Sequence, residues 1–261
     1  MTPGPLKTPH LFAQWDSIAQ RIRQKKRLAL FLDFDGTLVR IAPMPNAVHL
    51  EDGTRRVLQK LAGHRNVTMA VISGRQRAEL QHYIGLRKLK YMGLYGWESK
   101  GNKRVSFPVR LALVRALVTL LAELPAYPGV WIEPKRSSFS VHLLGTSAET
   151  QAQVRRQVQK RVMPMSDTLK VMTNLRDIEV APVSLGDKGV AVTKFLDDPS
   201  MRGALPIYFG DDFSDEPGFA AAQSGISVLV GKRRTTHAQF CVRGPAEVAM
   251  ALSRMEQIIR N

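Results

Sequence analysis

The segment LALFLDFDGT, residues 28–37, limits the possible folds more than any other stretch of the chain. An uninterrupted apolar run, Leu28 to Leu32, ends in two aspartates and a glycine. A strand that is apolar at every position must be covered on both faces, which is the condition of a strand inside a parallel sheet. Polar groups at its carboxyl end then lie where such sheets place their sites.

The same pattern recurs. VTMAVIS at 67–73 is a second buried strand that runs into Gly74, and KYMGLYG at 90–96 is a third. Helical spacing separates them, with Val57, Leu58 and Leu61 on one face of a helix over 51–63 and AELQHYIG as the next helix. Later the rhythm returns as helix KGVAVTKFL, strand LPIYFGDD, helix EPGFAAAQ, strand GISVLVG and a final helix over 245–258. This alternation predicts an α/β protein with a doubly wound parallel sheet.

Between the two runs the pattern changes. A helix over 109–124 leads to Pro125, Pro128 and Gly129, then to strand, turn and strand in VWIEPKRSSFSVHLLG. A helix over 147–162 and two further strands, LKVMTN and RDIEVAP, follow. Hairpin strands with accompanying helices predict a small α+β unit. The expected division is a discontinuous core, 1–104 and 184–261, with an insert at 105–183. An amphipathic N-terminal helix is expected over 11–27, ending in the basic run RIRQKKR.

Other features narrow the class. No apolar run nears the ~18 residues of a membrane span, and the N-terminus lacks the basic and apolar regions of a secretory signal. The one cysteine, Cys241, suits a reducing cytoplasm. The net charge of +16 attracts polyanions of any kind, phosphorylated metabolites included. The chain shows neither zinc-finger spacing nor an aromatic RNA-binding signature, so no nucleic-acid partner is expected. Nothing in the sequence sets an oligomeric state, and a monomer is the default expectation.

Four motifs carry chemistry. In extended chain Asp33 and Asp35 face one side, so the two carboxylates can converge, and Gly36 permits the exit turn. Their repulsion calls for a cation or a proton, and a hard cation such as Mg²⁺ takes oxygen ligands. Ser73-Gly74-Arg75 offers a hydroxyl and backbone N–H groups at a strand-to-helix turn, suited to a phosphate or to a plain N-cap. Asp211, Asp212, Asp215 and Glu216 crowd one strand end of an otherwise basic protein, which points to metal binding. Lys188 starts a helix, where positive charge is disfavoured unless an anion lies nearby.

In this chain order the motifs resemble the haloacid dehalogenase-like (HAD) phosphohydrolases, with the insert where that family's C2 cap belongs. Together, DFDGTL (33–38), SGR (73–75), GLYGWE (93–98), Glu133, Lys135, Ser138 and His142, IEVAP (178–182), KGVA (188–191) and GDDFSDE (210–216) resemble the trehalose-6-phosphate phosphatases. Tyr95 stands where that family usually has His, and Leu144 where it often has Arg.

The resemblance implies Asp33 as nucleophile and Asp35 as general acid and base. It implies Mg²⁺ held by Asp33, the Asp35 carbonyl and Asp211, with Asp212 and Asp215 as ligands or close behind. Ser73, Gly74 and Lys188 would bind phosphate. Arg75, Glu98, Glu133, Lys135, Ser138, His142 and Glu179 would contact a phosphorylated sugar, with the insert acting as a lid. Three alternatives stay open. They are another substrate such as glucosylglycerol or mannosylglycerate phosphate, a basic nucleic-acid-binding protein on an inactive scaffold, and a phospho-acceptor with a persistent Asp33 phosphate.

Overall fold

The structure, a computed structural model, describes residues 8–42, 44–99, 105–232 and 234–260. The chain divides into two compact units, Met1–Lys100 with Asp187–Asn261 and Gly101–Gly186. In chain order the first unit begins with α1 (Trp15–Arg23), β1 (Leu28–Leu32), α2 (Asp52–Gly63), β2 (Val67–Ile72), α3 (Arg77–Ile84) and β3 (Lys90–Met92). The second holds α4 (Phe107–Glu123), β4 (Trp131–Pro134), β5 (Phe139–His142), α5 (Ala148–Val162), β6 (Leu169–Thr173) and β7 (Asp177–Pro182). The first then resumes with α6 (Lys188–Leu196), β8 (Leu205–Gly210), α7 (Glu216–Ala221), β9 (Ile226–Val230), β10 (Phe240–Val242) and α8 (Pro245–Arg260).

The sheet of the first unit is parallel, in the order β10-β9-β8-β1-β2-β3. The chain winds outward from β1 through β2 and β3, and after the insert outward from β8 through β9 and β10. The switch point therefore lies between β1 and β8, where ligands of open α/β sheets bind. Alternation along β1 explains its all-apolar sequence. Leu28, Leu30 and Leu32 join one buried cluster with residues of α1, α2 and α8, while Ala29 and Phe31 join another with residues of α6 and α7. Burying each large side chain contributes about 1.5–3 kcal/mol.

In the second unit the antiparallel order is β4-β5-β7-β6. Ile132, Phe139, Val141, Ile178 and Val180 fall on one face and pack with Leu113, Leu120, Val154 and Val158 of α4 and α5.

Four details depart from the sequence expectations. The helix expected over 11–27 is a 3-10 turn, Leu11–Gln14, followed by α1, which stops at Arg23. The His10 ring accepts from the Phe12 N–H and starts the tighter turn. Beyond Arg23 the like charges of Lys25, Lys26 and Arg27 offer nothing to prolong the helix. The third strand ends at Met92, because Leu94 and Tyr95 take left-handed φ values of 47° and 57°. The strand β10 was not anticipated, since three residues carry too little periodicity to register.

Candidate active site

The strand ends of β1 and β8 build the centre. Asp33 follows β1 directly, and its N–H donates to the Phe209 carbonyl at 2.9 Å. Lys188, the first residue of α6, is buried and donates to Asp33 Oδ1 and Asp215 Oδ1, both at 2.7 Å. The Tyr208 hydroxyl donates to the same Asp215 oxygen at 2.8 Å. The Asp211 and Asp212 N–H groups donate to Asp215 Oδ2 at 3.1 and 3.0 Å. Asp215 thus acts as a hub that folds the acidic loop back on itself.

Asp33, Asp211 and Asp215 are all buried, and each offers a carboxylate oxygen within 4.8 Å of the others. Burial is the main force pushing the Asp33 carboxyl up, to about 7; Lys188 opposes it and Asp215 adds to it. Burial works against the Lys188 charge, but Asp215 and Asp33 outweigh it and hold the ammonium well above its usual range. Three neighbouring carboxylates, two of them bonded to one ammonium, leave a local surplus of negative charge. Their hard oxygen donors fit a divalent cation.

Asp35 has a partner of its own. Its carboxylate accepts two hydrogen bonds from Arg75, Nε at 2.6 Å and a terminal nitrogen at 2.8 Å. The guanidinium lies over the rings of Phe34 and Tyr83. Asp35 still lies close enough to push the Asp33 carboxyl up, while the tightest group of acids is Asp33 with Asp211 and Asp215. Gly36 redirects the chain at φ +85°, and a Cβ there would fall 2.2 Å from Asp211 Oδ2. The glycine serves both the turn and the close approach of the acidic loop. Arg75, expected to face substrate, is committed to Asp35. The Asp212 carboxylate accepts from the Phe213 N–H and lies outside the acidic group.

The β2 end carries the expected hydroxyl. Ser73 is buried, and its Oγ accepts from the Arg75 N–H at 3.2 Å. At Gly74 an added Cβ would sit 2.7 Å from the Tyr95 hydroxyl, so the glycine is what lets that ring cover the turn. The Tyr95 N–H donates to the Ser73 carbonyl, which fixes the two loops together. Glu98 accepts from the Arg77 N–H at 2.7 Å and so satisfies an amide at the start of α3.

The insert residues share the sheet face opposite its helices. Register pairs Glu133 with Ser140 and Ser140 with Glu179 across β4, β5 and β7. His142 Nε2 lies 2.8 Å from Glu133 Oε2, and its ring stacks on Trp131 at 3.8 Å and 9°. Lys135 donates to the wholly buried Glu179 at 2.9 Å, and the Ser140 hydroxyl donates to the same carboxylate. Burial works against the Lys135 charge, and Glu179 more than restores it. Ser138 is buried beside them, its hydroxyl without a protein partner.

Tyr208, Ser140 and Trp131 were missed in the sequence. Tyr208 gives no signal inside an apolar strand. Ser140 and Trp131 could have been found by extending the alternation of Ser138 and His142 across the hairpin.

A parallel sheet that switches at β1, with a buried aspartate, a lysine and an acidic loop gathered there, defines a HAD-like domain. A haloacid dehalogenase-like hydrolase from Bacteroides thetaiotaomicron superposes with a TM-score of 0.59 at 15% identity, covering 88% of this chain and all of that one. The C-terminal domain of C. albicans trehalose-6-phosphate phosphatase superposes at 0.84 with 20% identity, covering 97% and 99% of the two chains. The family model for trehalose-phosphatase matches residues 31–244, and the chain belongs to that family. A trehalose-phosphate phosphatase of Mycobacterium tuberculosis is 32% identical over 250 residues, 89% of this chain. The chain spans 62% of that relative's length.

Proposed function

We propose that the chain is a Mg²⁺-dependent phosphatase that hydrolyses trehalose 6-phosphate. The observation that carries this reading is the buried contact of Lys188 with Asp33 and Asp215, with Asp211 alongside. Family membership and the name of the mycobacterial relative support the substrate.

Asp33 would attack phosphorus in line, forming the P–O bond of an aspartyl phosphate as the bond to the sugar oxygen breaks. Asp35 would give that oxygen a proton, then take one from the water that releases phosphate from Asp33. In this reading Arg75 orients Asp35 rather than binding sugar. Ser73, the Gly74 N–H and Lys188 would hold the phosphoryl oxygens. Asp33, Asp211, Asp215 and the Asp35 carbonyl would hold the cation, with Asp212 shaping the loop behind them. The bound cation offsets repulsion between the anionic nucleophile and the anionic phosphate.

Glu133, Lys135, Ser138, His142 and Glu179 would supply sugar contacts from the cap. The Ser138 hydroxyl and one Glu179 oxygen are buried without protein hydrogen bonds, which supports a polar ligand on that face. Trp131 adds a flat ring of the kind that packs against a sugar. Glu98, engaged at α3, would steady the chain before it enters the cap. Among the described residues no helix is long and apolar enough to cross a membrane. The buried single thiol suits a reducing compartment, and we place the activity in the cytoplasm.

The test is phosphate release from trehalose 6-phosphate with Mg²⁺ or EDTA, beside glucosylglycerol phosphate, mannosylglycerate phosphate and simpler sugar phosphates. Mg²⁺-dependent preference for trehalose 6-phosphate is the expected result. Preference for another sugar phosphate would keep the chemistry and move specificity to Tyr95 and the cap. A folded protein inert on every member would overturn the reading.

A further inference from the structure

A cleft of about 350 Å³ lies between α1 and α8 of the first unit. It is lined by Trp15 and Arg23 of α1 and by Arg254, Gln257 and Ile258 of α8. The three α8 positions are three and four residues apart and share one helix face. The cleft is distinct from the catalytic centre. Helices α1 and α8 cover the sheet face that carries Leu28, Leu30 and Leu32, whereas α6, which begins at Lys188, covers the other. Arg21, near the end of α1, donates to the Gly225 carbonyl just ahead of β9, so α1 runs toward the edge where the strands begin. Asp33, Ser73 and Asp211 follow the opposite ends of their strands.

The lining combines unspent positive charge with apolar walls. The Arg254 guanidinium lies over the rings of Phe12 and Trp15, at 4.7 and 5.4 Å from their centroids. Contacts of this kind steady the cation without neutralising it or consuming its N–H donors. Arg23 is exposed, and among the described residues neither arginine has a carboxylate partner. Other surface arginines do find one, as Arg161 finds Glu123 and Arg234 finds Glu216. Gln257 adds an amide that both donates and accepts. Trp15 and Ile258 are partly buried and present apolar surface.

These features select a ligand. In so basic a chain a lone exposed arginine is ordinary. Two on one small cleft, one of them fixed over aromatic rings, make a site for an anion, and the guanidinium fork matches phosphate. A bare phosphate ion would leave the Trp15 and Ile258 walls without a role. The volume falls at the lower end of small-molecule sites, about 300–1,000 Å³. We propose that the α1–α8 cleft binds a small organic phosphate, with its phosphoryl group drawn by Arg23 and Arg254 and its ring against Trp15 and Ile258. The proposal is independent of which substrate the catalytic centre takes.

The test is calorimetric titration of the full chain in EDTA with AMP, glucose 6-phosphate and inorganic phosphate. At least one of the two organic phosphates should bind roughly tenfold or more tightly than inorganic phosphate, and which one does so identifies the ring as a base or a sugar. Arg23→Gln should weaken that binding about tenfold and Arg23→Gln/Arg254→Gln about 100-fold, the loss of one and two charge-assisted contacts. Arg23 makes no contact with another side chain that its replacement would break, so the single variant reads binding apart from folding. Both variants should release phosphate from trehalose 6-phosphate at the parental rate, which separates the cleft from the catalytic centre. Absence of binding by either organic phosphate at millimolar concentration would overturn the proposal. So would binding that the double variant leaves intact, or inorganic phosphate binding as tightly as the organic ones.

Discussion

Two polar clusters, one in each unit, each join carboxylates to a lysine and balance differently. In the core, Lys188 bonds Asp33 and Asp215, Asp211 lies beside those two carboxylates, and negative charge is in excess. In the cap, Lys135 meets Glu179 and His142 meets Glu133, so each charge or potential charge has a counterpart within the unit. A buried ion pair roughly balances its own desolvation, whereas an unbalanced cluster needs something from outside. In the proposed function the core cluster would receive a cation and a reacting group, and the cap pairs would present groups held in place.

The largest expected effect breaks the core cluster at the proposed nucleophile. Asp33→Asn should lower phosphate release by roughly 10³-fold or more, as removal of a nucleophile does. It should leave the metal-free fold at least as stable, because burial already favours the uncharged form of this group. A melting curve recorded beside the activity assay checks both halves. A variant that hydrolyses at the parental rate would remove Asp33 from the reaction.

Removing the cation partner in each cluster sharpens the contrast. Lys188→Met leaves Asp33 and Asp215 facing each other and should cost about 3–5 kcal/mol. Millimolar Mg²⁺ should restore part of that loss, since the carboxylates it would bind remain. Lys135→Met leaves Glu179 buried and should cost a comparable amount or somewhat less, about 3 kcal/mol, with no recovery in Mg²⁺. Denaturant titrations with and without the metal separate the two. Equal rescue, or none in either, would collapse the distinction between the clusters.

The sequence disclosed these two sites unequally. DFDGT was legible because its chemistry is local, with an apolar strand, a carboxylate and a glycine turn in adjacent positions. Most of the HAD-like sheet was legible for the same reason, since β1 is apolar throughout and β2, β8 and β9 nearly so. The contact of Lys188 with Asp33 spans 155 positions, and only the order of motifs hinted at it. Strand alternation placed Asp35 near Asp33, and its carboxylate is also gripped by Arg75, a long-range bidentate partner that sequence spacing does not reveal. In the cap the polar residues could be named, while their pairing depends on register across β4, β5 and β7. The left-handed Tyr95 gave no warning, because a bulky residue seldom takes that conformation.

Protonation offers a smaller effect, specific to the core. The Asp33 carboxyl stands near 7 in the metal-free fold against an ordinary 3.8. Between those values the folded state holds a proton that the unfolded state has released, so metal-free stability should fall as pH rises through that window. A cation competes for the same oxygen. Mg²⁺ affinity should therefore climb as pH rises toward 7, by up to about tenfold per unit, and level off above it. Calorimetric titrations from pH 5.5 to 8 measure the slope, and Asp33→Asn should flatten it. An unchanged slope in that variant would assign the proton to another group.

The smallest effect tests whether the cap pairs present groups or merely hold the cap together. His142 and Glu133 are partly exposed, with side-chain exposures of 20% and 26%, and a pair of that kind contributes about 0–1 kcal/mol. His142→Asn keeps a donor and an acceptor but gives up the reach to Glu133 and the flat contact with Trp131. Stability should hardly change. If the polar sheet face binds sugar, KM for trehalose 6-phosphate should rise about 5–10-fold, the cost of one lost hydrogen bond and its packing. The turnover number should hold, because a contact made equally in the ground and transition states moves KM alone. A drop in kcat with KM unchanged would instead place His142 among groups that act on the reacting phosphate, and the cap could no longer be described as the unit whose charges balance among themselves.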